Sequence, residues 1–201
     1  MKKYLSTLLI ILCMTVTLTG CPSFPSRGGT VDTLDRRSTK AQSDDKEMEV
    51  KIHDEAMNYL NNHSSNKQFK PTIFVISYNR QILLLGLVAS ESDKNMVERV
   101  ARAQPAAQNV YNYVDVSSKN NTSRPRIYSY NILVNVRGVT PTYTKVVSYG
   151  RIAYVMGILT PEEQQSATNK IGAVNSVGKV IPLYQTFNPV SDNKGTNSPN
   201  S

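Results

Sequence analysis

The chain has 201 residues and a formal net charge of +8, from 23 basic and 15 acidic side chains. It has only two cysteines, which excludes a scaffold held together by several disulfides. After the N-terminal segment, no apolar run approaches the ~20 residues that a membrane-spanning helix needs. These features exclude a disulfide-rich scaffold and a protein that crosses a membrane several times.

The N-terminus is typical of a bacterial export signal. Two lysines near the start are followed by an apolar stretch, residues 5–16, and then by the sequence Leu-Thr-Gly-Cys at 18–21. Such a short apolar core is not long enough to span a membrane. The last four residues resemble the bacterial lipobox, in which the cysteine is acylated and the chain is cut before it. We therefore expect residues 1–20 to be a signal peptide and Cys21 to carry the lipid. The alternative is an ordinary signal peptide that contains a cysteine.

The residue after the cysteine predicts the destination of the lipoprotein. It is Pro22, not the Asp that resembles an inner-membrane retention signal, so we expect the inner leaflet of the outer membrane, with the protein facing the periplasm. Two or three acyl chains make a durable anchor, because each buried CH₂ contributes about 0.8 kcal/mol. The excess of basic side chains suits anionic lipid headgroups there, or it simply keeps the surface soluble. Nucleic acid is not an expected partner.

An internal repeat organises the rest of the chain. At an offset of 71 residues, residues 74–86 align with residues 145–157, and a repeat of this kind indicates a duplicated module. The identical pairs are Val75/Val146, Ser77/Ser148, Tyr78/Tyr149, Arg80/Arg151 and Gly86/Gly157.

Composition predicts the segments that surround the two modules. Residues 21–43 are rich in small polar and charged side chains and predict a flexible tether, and residues 188–201 predict a disordered tail. The polar stretch 117–126 is the predicted linker. The first module is then 44–116 and the second is 127–187.

The first module has the pattern helix, strand, strand, helix, strand. The helix is predicted to begin at Ser43, with Asp44 and Asp45 at its positive end. A hairpin turns at Asn79-Arg80, and Ser90 caps the helix that leads to the last strand, residues 109–116.

The second module repeats this order. Its hairpin pairs residues 144–149 with 152–159, and Thr160 and Glu163 form a capping box at the start of the next helix. In the last strand Pro182 cannot donate a ladder hydrogen bond, which predicts a sheet edge or an interruption. Residues 127–137 occupy the position of the first helix of the first module, which favours a helix. Their apolar and polar residues alternate with the period of a strand. We interpret them as a helix.

The repeated unit resembles the BON domain. The resemblance rests on the hairpin ending Leu-Leu-Gly-Leu-Val at 84–88, on the helix leading to Val-Tyr-Asn at 110–112, and on the approach to the first helix, residues 35–49. It implies an α/β fold of the α+β sandwich type. Two tandem modules would each have a three-stranded mixed sheet packed on two helices.

The lipobox, the tether and the two modules together resemble the dual-BON outer-membrane lipoproteins of Gram-negative bacteria, over about residues 35–187. This resemblance implies a non-enzymatic protein that binds anionic phospholipid and supports envelope integrity. The family's lipid surface lies on the first helix of the second module and carries a Trp-Ile pair with basic residues. This chain has no tryptophan and offers Arg126, Ile127, Tyr128 and Tyr130 instead. The alternative is that Ile127 and Tyr128 pack on the sheet.

No motif points to catalysis, a metal or a cofactor. His53 and His63 are ten positions apart and do not share the i, i+4 face of a helical metal pair. Glu162 and Glu163 are adjacent and point apart on a helix. Lipid contact, binding of an envelope protein partner and, least favoured, an enzymatic site are therefore the three hypotheses. The eleven tyrosines suit either of the first two.

Overall fold

A computed structural model describes residues 35–63, 66, 68–117, 127–129 and 143–188, with only the backbone described for 127–129. These residues all lie in one compact unit, Thr33–Ser201. The predicted signal peptide, Cys21, Arg126 and Tyr130 lie outside the described residues, as do nearly all of the predicted linker and tail. Among the helices that are described, none has the length and apolar character needed to cross a membrane.

The first module is a three-stranded mixed sheet packed on two helices, as predicted. In sheet order β1-β2-β3, β1 is antiparallel to β2, and β3 is parallel to β2. The elements in chain order are α1 (Thr39–His63), β1 (Thr72–Tyr78), β2 (Gln81–Val88), α2 (Glu91–Arg102) and β3 (Asn109–Val116).

The second module contains the same three strands and adds a fourth. The sheet order is β4-β5-β6-β7, and β6 and β7 form the parallel pair. Pro182 lies in β7 at the sheet edge, which confirms the edge prediction, because a missing N–H costs nothing on the unpaired side. The elements are β4 (Ile127–Ser129), β5 (Thr144–Tyr149), β6 (Ile152–Leu159), α3 (Pro161–Gly172) and β7 (Lys179–Thr186).

The interpretation of 127–137 as a helix is wrong for residues 127–129. These form β4, antiparallel to β5, with Ile127 opposite Tyr149 and Ser129 opposite Val147. The period of two in the sequence therefore outweighs the analogy with the first module. Pairing with β5 also satisfies backbone groups that would otherwise lack partners at that edge. The rest of that segment lies outside the described residues.

The first helix begins earlier than predicted. It starts at Thr39, and the hydroxyl of Ser38 accepts a hydrogen bond from the N–H of Ala41 at 3.1 Å, so Ser38 is the N-cap and Ser43 is not. Asp44 and Asp45 consequently lie beyond the first turn. Residues 35–43, at the end of the predicted tether of 21–43, are part of the folded body, with residues 39–43 in α1.

The two modules pack sheet against sheet. Side chains alternate along each strand, so one face of the first sheet contacts α1 and α2 and the other contacts the second sheet. Every residue of β2 is buried because both faces are covered, and each such Leu or Ile contributes roughly 1.5–3 kcal/mol. The buried residues between the sheets are Ile76, Tyr78, Leu83, Leu85, Val147, Tyr149, Tyr154, Met156, Ile158 and Leu183.

Residue 86 must be glycine because the backbone of the neighbouring strand lies close to it. The register of β1 with β2 is unbroken at this position. Gly86 has φ +136°, and a Cβ there would lie 2.0 Å from the carbonyl oxygen of Thr72. The close approach therefore comes from the backbone of β1.

Candidate functional site

The first described residues bridge the two modules. We call residues 35–38 the junction, because they lie near the end of the predicted tether and directly precede α1. The Arg36 guanidinium donates to both carboxylate oxygens of Glu163, at 2.6 and 3.0 Å, and to the carbonyl oxygen of Ile158 at 2.9 Å. It also lies between two rings, 3.9 Å from the centroid of Tyr143 and 4.2 Å from that of Phe187. With 11% of its side chain exposed, Arg36 is held firmly on the second module.

Glu163 has two roles at this position. Its carboxylate accepts the N–H of Thr160 at 2.9 Å and its own N–H donates to the Thr160 hydroxyl, which confirms the predicted capping box. The hydrogen bond from Arg36 holds the pKa of Glu163 below its usual range. The start of α3 is therefore tied to Arg36 of the junction.

The other half of the junction is fixed to the first module. Arg37 donates to Asp35 at 2.7 Å and to Asp45 at 3.0 Å, and its guanidinium lies 4.3 Å from the ring centroid of Tyr78. Burial opposes ionisation of Asp35, but its hydrogen bonds with Arg37 outweigh that effect and lower the pKa of Asp35.

Asp45 is the centre of a buried polar network. Only 3% of the residue is exposed. Besides Arg37, its carboxylate accepts hydrogen bonds from the hydroxyl of Ser77 and the backbone N–H groups of Asn79 and Arg80, each at 2.7 Å. Asn79 and Arg80 have φ of 48° and 64°, as in a type I′ hairpin turn. The carboxylate therefore fastens α1 to the predicted turn, a role that the sequence did not reveal.

Polar contacts cross between the sheets around this network. Lys145 of β5 pairs with Glu49 and donates to the carbonyl oxygen of Ser77 at 3.1 Å. The Tyr149 hydroxyl donates to the carbonyl oxygen of Gly86 at 3.0 Å, and burial raises the pKa of Tyr149 to about 12. These contacts fix one relative placement of the two modules.

Comparison with known proteins gives a family match in the first module and similarity to an outer membrane lipoprotein over most of the chain. Residues 51–118, most of the first module, match the BON domain. The chain is 27% identical over 194 residues to the outer membrane lipoprotein DolP of Haemophilus influenzae, covering 90% of this chain and 96% of that protein. The first module therefore contains a BON domain, and the chain is similar to an outer-membrane lipoprotein over nearly its whole length. It is also 26% identical to a 21 kDa hemolysin of Actinobacillus pleuropneumoniae, over 75% of this chain and 78% of that protein.

A solved structure also resembles this BON-domain protein. It is that of CdsD, a structural protein of the type III secretion system of Chlamydia trachomatis, with a TM-score of 0.25 and 12% identity. The match covers 68% of this chain and 62% of the other, so the BON-domain chain spans less than two thirds of that structure.

The predicted lipid-binding residues of the BON-domain protein are only partly placed. Ile127 and Tyr128 belong to β4, the strand at one edge of the second sheet, with Tyr128 opposite Ser148. Arg126 and Tyr130, on either side, lie outside the described residues, as does Cys21. The structure thus brings positions 127 and 128 onto a strand that is continuous with the second module.

The described part of this BON-domain protein holds no group of three or more metal-ligating side chains. His53 Nδ1 lies 3.1 Å from a carboxylate oxygen of Asp54, and His63 Nδ1 lies 3.3 Å from the carbonyl oxygen of Tyr59. Each histidine contacts a neighbour on its own helix.

A surface groove lies at the free edge of the first sheet. It has a volume of about 680 Å³ and runs between α1, the edge strand β1 and β5 of the second module. Its walls include Val50 and Met57 from α1, Phe74 from β1 and Val147 from β5. Val50 is 63% exposed, the most exposed large apolar side chain among the described residues. No motif in the sequence pointed to this groove.

Proposed function

We propose that this protein is anchored in the outer membrane through acylated Cys21, faces the periplasm, and supports envelope integrity without catalysing a reaction. The observation that carries the proposal is the match to the outer membrane lipoprotein DolP, which covers 90% of the chain and 96% of that protein. The lipobox sequence at 18–21 supports the same anchor.

The contact with the membrane is proposed to be with anionic phospholipid, through Arg126, Ile127, Tyr128 and Tyr130. A basic residue beside aromatic and apolar side chains suits a headgroup surface. A single basic residue near an anionic leaflet contributes about 1 kcal/mol, so the proposed surface alone would bind anionic vesicles only weakly. The acyl anchor supplies most of the attachment.

The junction supports this arrangement. Thirteen residues separate Cys21 from Asp35, and a chain of that length spans at most about 50 Å. Because Arg36 is bound to the second module, that module cannot move farther from the leaflet than the span allows. A short tether gives weak headgroup contacts a high effective concentration.

Vesicle binding tests the lipid contact. The mature chain with Cys21→Ser removes the acyl anchor and leaves the proposed surface, and it would be sedimented with vesicles of phosphatidylethanolamine alone or mixed with phosphatidylglycerol. We expect binding to the anionic vesicles and, for Arg126→Glu, a loss of about fivefold or more, the equivalent of at least 1 kcal/mol. The control is Arg99→Glu, an exposed position on α2 with the same change in charge.

Two outcomes would contradict the proposal. One is equal binding to neutral and anionic vesicles. The other is an equal loss for Arg126→Glu and Arg99→Glu, which would mean that net charge, not the proposed surface, drives binding.

A further inference from the structure

The groove contains backbone groups that can pair with another strand. The N–H of Ser77 donates to Glu49 at 2.7 Å and the carbonyl oxygen of Ser77 accepts from Lys145 at 3.1 Å. Both groups of Ser77 therefore point away from β2. Because strand geometry repeats every two residues, the N–H and C=O groups of Val75 and Ile73 point the same way. In the described part of the chain, no hydrogen bond reaches these outward groups.

At both ends of this short strand edge, the backbone cannot pair with an added strand. At one end, Glu49 and Lys145 occupy the outward groups of Ser77. At the other end, Pro71 has no N–H and cannot extend a ladder. Ile73 and Val75 lie between these two ends. Their outward N–H and C=O groups are enough for a peptide segment of about five residues to pair as an added strand.

The residues that line the groove predict which side chains a bound strand would carry. A strand added to β1 would lie about 4.8 Å from it, between α1 and β5. Its alternate side chains would face Val50 and Met57 on one side and Phe74 and Val147 on the other. Apolar side chains are therefore favoured on both faces of the segment.

The charged residues at the edge of the groove favour a basic side chain on the bound strand. Lys145 is already paired with Glu49. Asp54, whose side chain is 72% exposed, has only His53 as an ion-pair partner among the described residues. A basic side chain of the occupant would complement Asp54.

We propose that this groove binds an extended, mainly apolar peptide segment of an envelope protein, which adds to β1 as an edge strand and places a basic side chain beside Asp54. An acyl chain would fill the apolar walls but would leave the outward groups of Ile73 and Val75 without partners. A strand satisfies both requirements, as in other cases of β-strand addition. This partner site is separate from the proposed lipid contact.

The test uses the ¹⁵N-labelled mature chain with Cys21→Ser and a defined probe, the acetylated and amidated hexapeptide Lys-Val-Ala-Val-Ala-Val. We expect the probe to shift the amide resonances of Ile73 and Val75 and to slow their hydrogen exchange at least tenfold. The same peptide with alternate backbone nitrogens methylated loses one edge of donors, and we expect it to bind at least tenfold more weakly.

Substitutions in the walls separate this groove from other surfaces. Val50→Asp places a charge on an exposed helix position and should weaken probe binding about tenfold, whereas Val116→Asp, at an exposed position of β3, should not change it. Asp54→Lys should weaken binding of this probe and strengthen binding of a probe with Glu in place of its Lys. Both Val50→Asp and Asp54→Lys should leave vesicle binding unchanged, which keeps the two proposals distinct.

Several results would overturn the proposal. The first is that the methylated probe binds as tightly as the unmethylated one. The second is that millimolar probe shifts no amide resonance. The third is that vesicles, or self-association of the chain, shift the resonances of Ile73 and Val75 while the peptide does not. Protection of these two amides by the chain's own residues before probe is added would also overturn it.

Discussion

Replacing Arg36 with Ala should destabilise the protein by about 2.5–4 kcal/mol. The substitution removes two hydrogen bonds to Glu163 and one to the carbonyl oxygen of Ile158, together with the guanidinium between Tyr143 and Phe187. Because 38% of the Glu163 side chain is exposed, we take only about 1 kcal/mol for that ion pair. The bond to the buried carbonyl adds about 1 kcal/mol, and the two ring contacts add about 0.5–2 kcal/mol.

Chemical denaturation followed by circular dichroism measures this loss. The matched control is Arg102→Ala, which removes an arginine from an i, i+4 pair with Glu98 on the surface of α2 and should cost about 0.5 kcal/mol. Arg36→Lys keeps the positive charge but lacks the planar guanidinium that donates to both carboxylate oxygens of Glu163. It should therefore recover less than half of the lost free energy of unfolding. A free energy of unfolding for Arg36→Ala within about 0.5 kcal/mol of the wild type would refute the conclusion that Arg36 holds the junction on the second module.

Three further predictions follow from the same contacts. Asp45→Ala should cost about 3–5 kcal/mol, because it leaves buried donors without an acceptor; a loss below about 1 kcal/mol in denaturation would contradict the network described. Since the pKa of Glu163 is lowered, its contribution is complete above the ordinary carboxyl pKa of about 4.3 and is lost as the pH falls through the lower folded value. The stability difference between wild type and Glu163→Gln should therefore be fully present at about pH 7 and should shrink as the pH is lowered below about 4.3; a difference that does not change with pH would count against the pair. Gly86→Ala should lower the melting temperature far more than Gly150→Ala, because a Cβ at Gly86 meets backbone at 2.0 Å and one at Gly150 meets nothing within 4 Å; equal effects of the two changes would show that backbone dihedral preference alone decides the loss.

The sequence predicted the features that depend on neighbouring residues. The two hairpins, the capping box at Thr160 and Glu163, and the edge position of Pro182 all follow from local chemistry, and each is found in the structure. The duplication was visible because the hairpins keep identical residues at a fixed spacing. These signals placed the strands and the helices α2 and α3.

The features that depend on distant residues were not predicted. Arg36 and Glu163 are 127 positions apart, and nothing near either residue indicates the pair. Asp45 looked like a residue that favours a helix start, but it is buried because it meets the turn at Asn79 across 34 positions. The groove was also missed, since it forms only where α1, β1 and β5 converge.

For residues 127–129, the two kinds of evidence disagreed. The position in the repeat predicted a helix and the alternation predicted a strand. The structure follows the alternation, because β5 offers an edge with which residues 127–129 can pair.

The most direct test of the proposed function is to locate the lipid contact on the mature, acylated chain. The chain would be inserted in nanodiscs that carry a spin label on their headgroups, and the broadening of each backbone amide resonance would be measured with anionic and with neutral lipid. Outside the tether, which the anchor holds at the leaflet with either lipid, we predict the strongest broadening at residues 126–130, present with anionic lipid and greatly reduced with neutral lipid. Broadening centred on α1 or β1, or equal broadening with both lipids, would contradict contact between the second module and anionic phospholipid.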